Sequence, residues 1–468
     1  MPLVPSRHNI VAKVPGSDEH VIANPLSGSA DLIDATEAAA IAGGTPDDAQ
    51  AAVERGYLVE PDEETRRFRA AYLDFVDARD QDEVQLFFAP TYACNFACTY
   101  CYQAEYGSSP VSDTAAVVAA FFRYVDEQFH DRKKYLTIFG GEPLMPGARE
   151  HATIEALIGG AFERELDVAV VTNGYLLEEY LDLLGLAHLR EIQVTLDGVG
   201  ALHNKRRPLH GGGPTFDKIV VGIDRALVRD IPINLRMVVD RENLSGLVDL
   251  AHFARKRGWT AHPHFKTQVG RNYELHYCQV EQDRLYSRLG LAEAFAALAT
   301  KHPEVLELHR PTFGLAKSLV ETGELPGPVF DACPGTKTEW AFDMTGRIYA
   351  CTATVGKPGE ALGTFYPEVK LDEAQVSEWQ ERDVLAISEC RNCTVQLACG
   401  GGCASIAKNQ TGRLHAPDCR PVKELLGLGL ALYGTTSDAA PAIQRGNCCC
   451  GESPAGEAAS CCEAASRE

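Results

Sequence analysis

The chain has 468 residues, 65 acidic against 44 basic for a formal net charge of −21, with 45% hydrophobic and 23% charged residues. That balance fits a folded protein of two or three domains, argues against broad binding to nucleic-acid backbone and favours neutral or basic partners. No apolar core of signal-peptide length occupies residues 1–15, and no stretch reaches the roughly 20 apolar residues of a membrane span, so a cytoplasmic protein with no membrane partner is expected.

Residues 1–82 read as a small α/β module, with a helix at 47–54 behind Thr45 and Pro46, a strand-like segment at 56–59 and a charged run at 62–69. From residue 83 to 280 short β-rich runs alternate with longer helical ones. Strands are predicted at 84–89, 135–139, 168–171, 192–196, 233–239 and 261–265, and helices at 113–129, 148–164, 176–184, 216–229 and 244–257. That alternation predicts a parallel sheet and an α/β fold, a partial (β/α)6 TIM barrel. A helical, cysteine-poor bridge at 281–328 ends in a Pro-Gly break, and seven cysteines then fall between Cys333 and Cys419, marking 329–436 as a separate metal domain. Residues 437–468, with cysteines at 448, 449, 450, 461 and 462, read as a flexible tail. In a reducing compartment 16 cysteines at short, ordered spacings point to metal rather than to disulfides.

Cys94, Cys98 and Cys101 lie within eight residues, directly after the first predicted barrel strand. A [4Fe-4S] cluster ordinarily takes four thiolates, so three on one loop leave an iron open to a ligand; a structural knuckle with a remote fourth ligand is the alternative. The Cys-x3-Cys-x-aromatic-Cys spacing, with Tyr100 at the aromatic position, resembles the radical SAM superfamily. The resemblance implies that the open iron chelates the methionyl amino and carboxylate groups of S-adenosylmethionine (SAM), that Tyr100 lies near the adenine, and that one electron from the cluster yields a 5′-deoxyadenosyl radical, which abstracts a substrate hydrogen.

Gly140, Gly141, Glu142 and Pro143 follow the second strand, where bare backbone can approach a ligand and Glu142 can accept from an ammonium. In the family this segment binds the methionyl amine. Thr172 and Asn173 follow the third strand, and Thr195 with Asp197 the fourth, at the end where barrel sites gather polar groups. By resemblance Thr195 and Asp197 lie near the ribose and carboxylate of SAM, and Arg207 pairs with that carboxylate.

The later spacing, Cys333, Cys351, Cys390-x2-Cys393-x5-Cys399-x3-Cys403 and Cys419, resembles the SPASM extension of radical SAM enzymes, which holds two auxiliary [4Fe-4S] clusters and brings the expected total to three. A zinc ribbon on Cys390, Cys393, Cys399 and Cys403 is the competing reading. The resemblance implies an outer cluster on Cys390, Cys393, Cys399 and Cys419 and an inner one on Cys333, Cys351 and Cys403. The inner set is one ligand short, because Glu339 stands where some relatives have cysteine, which leaves an open iron, a carboxylate ligand or another thiol. Cys278 reads as a buried side chain.

Most SPASM enzymes oxidise a residue within a polypeptide, and the N-terminal module weakly resembles winged-helix peptide-recognition elements. The sequence is therefore expected to encode a maturase of ribosomally made peptides, forming a thioether, carbon-carbon or carbon-oxygen crosslink with a flavodoxin or ferredoxin as electron donor. An anaerobic sulfatase maturase is disfavoured by Thr352, where such enzymes carry an aspartate base. A small-molecule radical SAM enzyme and a zinc or electron-transfer protein are the remaining alternatives.

Overall fold

The computed structural model describes residues 2–101, 103, 113–272 and 282–436. The expected tail, its five cysteines and Cys278 lie outside the described residues.

Strands β1 (Val4–Pro5), β2 (Ile10–Lys13), β3 (His20–Asn24) and β4 (Ser29–Ile33) lead into helices α1 (Ala35–Ala42) and α2 (Ala49–Glu54), then β5 (Leu58–Val59) and α3 (Pro61–Gln81). β2, β3 and β4 form an antiparallel sheet, and β1 pairs with β5. Helix α2 starts two residues later than predicted because Asp48, not Thr45, caps it, accepting from Ala51 N at 2.9 Å. The charged run 62–69 lies inside α3, where Pro61 presets the first turn, Asp62, Glu63 and Glu64 oppose the helix dipole, and Glu63 pairs with Arg66 and Arg67. The rings of Phe68 and Tyr72 on α3 pack edge-on to Phe330 at 5.2 and 5.3 Å, and Tyr72 Oη donates to Asp383 at 2.8 Å. The N-terminal region thus shares an apolar cluster with the segment carrying Cys390.

Six strands, β6 (Val84–Ala89), β7 (Lys134–Ile138), β8 (Val168–Thr172), β9 (Leu189–Thr195), β10 (Ile233–Val239) and β11 (Phe265–Arg271), pair in sequential order, each parallel to the next. Helices α4 (Thr114–Gln128), α5 (Ala148–Phe162), α6 (Leu177–Leu184), α7 (Ala201–Arg206), α8 (Phe216–Val228) and α9 (Gly246–Lys256) connect them. On β6, Val84, Leu86 and Phe88 are wholly buried, while Gln85 and Phe87 line a cavity on the other face, the two-residue alternation of a strand. The sixth strand corrects the prediction of 261–265. Pro263 cannot donate to a ladder, and Trp259 turns inward instead, its Nε1 donating to Asp224 at 2.7 Å, so pairing begins at Phe265 opposite Ile233.

The bridge holds α10 (Arg288–Lys301), α11 (Glu304–Leu308) and α12 (Ala316–Thr322). Beyond it, β12 (Glu339–Asp343), β13 (Arg347–Tyr349), β14 (Ala361–Thr364) and β15 (Lys370–Leu371) precede α13 (Glu373–Gln380), α14 (Gln396–Cys399), α15 (Ala404–Thr411) and α16 (Val422–Thr436). This region continues the main sheet. β12 pairs in parallel with β6, Glu339 opposite Gln85, so one ten-stranded sheet runs from β11 to β15. Pairing there satisfies a row of backbone groups that β6 would otherwise present as an open edge. Among the described residues no helix is long and apolar enough to cross a membrane.

Candidate functional site

The cysteine loop leaves the C-terminal end of β6 and is pinned along its length. Ala97 N donates to Pro208 O at 2.8 Å, Thr99 N to Arg206 O at 3.2 Å, and His210 N to Asn95 O at 2.9 Å, so the segment after α7 acts as a short ladder for residues 95–99. On the other side, Gly141 N donates to Thr91 O at 3.0 Å and Glu142 N to Ala93 O at 2.9 Å. A Cβ on Gly141 would lie 2.3 Å from Ala93 O, and one on Gly140, whose φ is +130°, would lie 2.5 Å from Thr91 O. Without side chains, both glycines let their backbone approach the cysteine loop closely.

Glu142 is 1% exposed. Its Oε1 accepts from Thr172 Oγ1 at 2.5 Å and Leu144 N at 2.9 Å, and its Oε2 from Asn173 N at 2.6 Å. An ionised carboxylate has about four acceptor positions, so one stays open here. Burial pushes its pKa up, against the three donors and Arg207, which lower it. A buried carboxylate so placed favours a cationic ligand. Asn173 ties this group to the loop, its Nδ2 donating to Asn95 Oδ1 at 2.7 Å with Cys94 Sγ 3.8 Å away. Asn95 carried no signal in the sequence beyond its place between cysteines.

Tyr100 Oη donates to Asp197 Oδ2 at 2.6 Å and accepts from Arg207 Nη1 at 2.5 Å. Asp197 is wholly buried, and its Oδ1 accepts from Val238 N at 3.0 Å. With Arg206 Nε also 3.4 Å from Oδ2, three donors meet this carboxylate, and Asp197 holds Tyr100 in place. Arg206, unremarked in the sequence, is 1% exposed, spans Asp197 and Asp240, and lies over the Tyr100 ring at 5.3 Å.

Burial raises the pKa of Cys94 to about 12 and of Cys98 to about 11, Arg207 pulling the latter down. As free groups these would stay protonated; as thiolates they need a cationic centre, the role an iron-sulfur cluster fills. The residues present therefore fit such a cluster.

One cavity of about 580 Å³ receives side chains from all six parallel strands, including Thr195 on β9 and Arg236 on β10. Tyr100 and Gly140 line it, and so do Thr352 and Ala353, directly after Cys351.

The later cysteines divide by proximity. Burial raises Cys351 well above an ordinary thiol, helped by Glu339 and by Cys333 and Cys403 beside it. Burial likewise raises Cys390 to about 11, with Cys399, Cys393 and Cys419 as its neighbours. Cys403 thus falls with Cys333 and Cys351, away from its sequence neighbours. Three glycines, Gly400, Gly401 and Gly402, at φ +60°, +74° and +69°, carry the chain from one group to the other. A Cβ on Gly402 would lie 2.1 Å from Asp418 O. Fully buried Arg382 holds this run, donating to Gly401 O at 3.0 Å, Gly402 O at 3.1 Å, Leu414 O at 2.8 Å and Ala416 O at 2.9 Å. Glu339 Oε1 accepts from Thr352 N at 2.9 Å. Among the described residues no three His, Cys, Asp or Glu side chains are grouped so as to hold a single metal ion.

Residues 88–254, spanning β6 to α9, match the family profile of the Radical SAM superfamily. The chain carries a radical SAM domain. It is 26% identical over 183 residues to GTP 3′,8-cyclase of Campylobacter jejuni subsp. doylei, 39% of this chain and 55% of that protein. It is 30% identical over 188 residues to AdoMet-dependent heme synthase of Methanosarcina barkeri, 39% of this chain and 51% of that protein. The chain therefore spans about half the length of the curated relatives it matches. Among solved structures, native anSMEcpe with bound AdoMet superposes with a TM-score of 0.58 at 16% identity, covering 76% of this chain and 100% of that one. Streptococcus suis SuiB bound to precursor peptide SuiA superposes at 0.51 and 14% identity, covering 89% of this chain and 99% of that one. These superpositions show a shared fold that extends well beyond the radical SAM domain.

Proposed function

We propose that this chain is a radical SAM maturase that modifies a ribosomally made peptide within the cavity enclosed by a partial (β/α)6 barrel. The observation that carries the proposal is that one cavity touches both Tyr100 and Gly140 beside the first cysteine loop and Thr352 beside Cys351. A reaction begun at the loop can then end at the second centre without the substrate leaving.

Cys94, Cys98 and Cys101 would hold the cluster that binds SAM, which supplies one electron and, from SAM, a 5′-deoxyadenosyl radical for hydrogen abstraction. The open acceptor position of Glu142 would take the methionyl ammonium. Arg207, anchored through Tyr100 to Asp197, would face the carboxylate, and Thr195 the ribose. Gly140 and Gly141 would seat the Glu142 carboxylate beside the loop, with Pro143 next to it in the same SAM-binding segment. Tyr100 closes the cavity on the loop side and helps to keep water from the reacting groups.

Cys390, Cys393, Cys399 and Cys419 would hold an outer auxiliary cluster of SPASM type, and Cys333, Cys351 and Cys403 an inner one. Glu339 is the carboxylate at hand to complete the inner set. The precedent of SuiB with its precursor peptide supports a peptide substrate, because the shared fold covers 89% of this chain. A small ferredoxin or flavodoxin would deliver the electron.

The test is anaerobic reconstitution of the full chain, followed by reduction with SAM and the peptide encoded beside it. Release of 5′-deoxyadenosine with a change in peptide mass supports the reading. Release with the peptide mass unchanged overturns the substrate, and no release overturns the chemistry.

A further inference from the structure

Four cations line the cavity, in a chain whose overall charge is strongly negative: Arg190, Arg236, Lys266 and Arg271. Three already have oxygen partners. Arg190 pairs with Glu83, Lys266 with Glu191, and Arg271 Nη1 donates to Tyr286 O at 2.6 Å. Arg236 differs. Among the described residues its guanidinium makes one hydrogen bond, Nη1 to Gln193 Oε1 at 3.3 Å, and its Nε lies out of water's reach with no acceptor.

The position explains which edge is free. Arg236 stands on β10 between Thr195 of β9 and Gln268 of β11, in the row that faces the cavity. Two residues after Gln268, on the same face, comes Gly270. A Cβ there would sit 3.5 Å from both Nε and Nη2, an ordinary contact distance, so the Gly270 backbone runs beside the Nε/Nη2 edge without blocking it. That edge is the fork with which arginine clasps a carboxylate through two parallel hydrogen bonds. A donor left unmet in so buried a place has found no partner within the described residues.

We infer that Arg236 binds a carboxylate of the substrate, and that the peptide entering this cavity carries an aspartate or glutamate next to the residue that reacts. The inference rests on the maturase reading of the cavity and names the substrate class it takes. Charge decides against the nucleotide suggested by the cyclase relatives: a triphosphate brings several negative charges, whereas three of the four lining cations are already matched. One open fork suits one carboxylate.

The experiment uses the reconstituted full chain with saturating SAM and two probes, N-acetyl-glutamate methylamide and N-acetyl-glutamine methylamide, with binding followed by calorimetry. The glutamate probe is expected to bind at least about tenfold more tightly than the glutamine probe, as a charge-assisted fork requires. Arg236→Gln should remove that preference and leave SAM affinity as in the wild type; Arg236→Lys, which keeps the charge without the fork, should retain part of it. Equal affinity for the two probes, or no binding of the glutamate probe, overturns the inference. So does a loss of SAM affinity in Arg236→Gln, which would give Arg236 to the SAM carboxylate. GTP binding that exceeds the glutamate probe and depends on Arg236 would replace the peptide with a nucleotide. Failure of the maturase reading is seen separately, as an unmodified precursor peptide.

Discussion

Replacing Glu142 with Gln alters one atom in a buried group and separates two roles. The amide oxygen can keep the donors Thr172 Oγ1 and Leu144 N, but the amide nitrogen then faces Asn173 N, now 2.6 Å from Oε2. One charge-assisted hydrogen bond becomes a donor opposed to a donor, a loss of roughly 1–3 kcal/mol of stability. On the proposed reading the same change removes the partner of the methionyl ammonium. A hydrogen bond to a charged group contributes about 1.5–3 kcal/mol, so SAM affinity should fall roughly 10- to 150-fold. Titration calorimetry of SAM into the anaerobically reconstituted Glu142→Gln variant measures this, with thermal melting and iron content followed in parallel. SAM affinity within twofold of wild type, in a variant that melts normally and holds its iron, would refute the role given to Glu142.

Cys393→Ser and Cys403→Ser should each remove one cluster, about four of roughly twelve irons, but different ones, giving distinct paramagnetic spectra. Identical spectra would favour the ribbon-like grouping of sequence neighbours. Gly141→Ala, whose new methyl would lie 2.3 Å from Ala93 O, should displace the first cysteine loop and lower iron occupancy there while the other clusters stay; full occupancy would show that the loop can give way. Burial lowers the pKa of His8 and His309 to about 4 each. Between that value and an unfolded value near 6.5 the unfolded chain binds more protons, so stability is present above pH 6.5 and is lost as pH falls towards 4. At pH 5 the loss comes to roughly 2 kcal/mol per histidine, and melting at pH 7 and pH 5 of the wild type and of His309→Gln would measure the share due to His309.

Much of the six-strand run was legible because its strands are apolar and sharply bounded; β6 and β10 begin and end where the pattern says they should. The sixth strand was placed too early, at 261–265, because the run includes Pro263, which cannot donate to a ladder, and pairing with β10 begins only at Phe265. Thiol spacing singled out the ten cysteines from Cys94 to Cys419 that the structure describes. Local pattern could not reveal that β12 joins the six parallel strands, since strand pairing across some 250 residues leaves no periodic trace. Nor could it separate Arg206 from Arg207: both are arginines in one basic run, and only the turn of α7 sends the first to Asp240 and the second to Tyr100.

Cys399 and Cys403 stand at the two ends of a span that Arg382 ties, through Gly401 O and Gly402 O, to Leu414 O and Ala416 O. On the two-group assignment each end belongs to a different cluster. Because Arg382 fixes that span before any metal arrives, each cluster would find its cysteines already placed, and loss of one would leave the scaffold of the other standing.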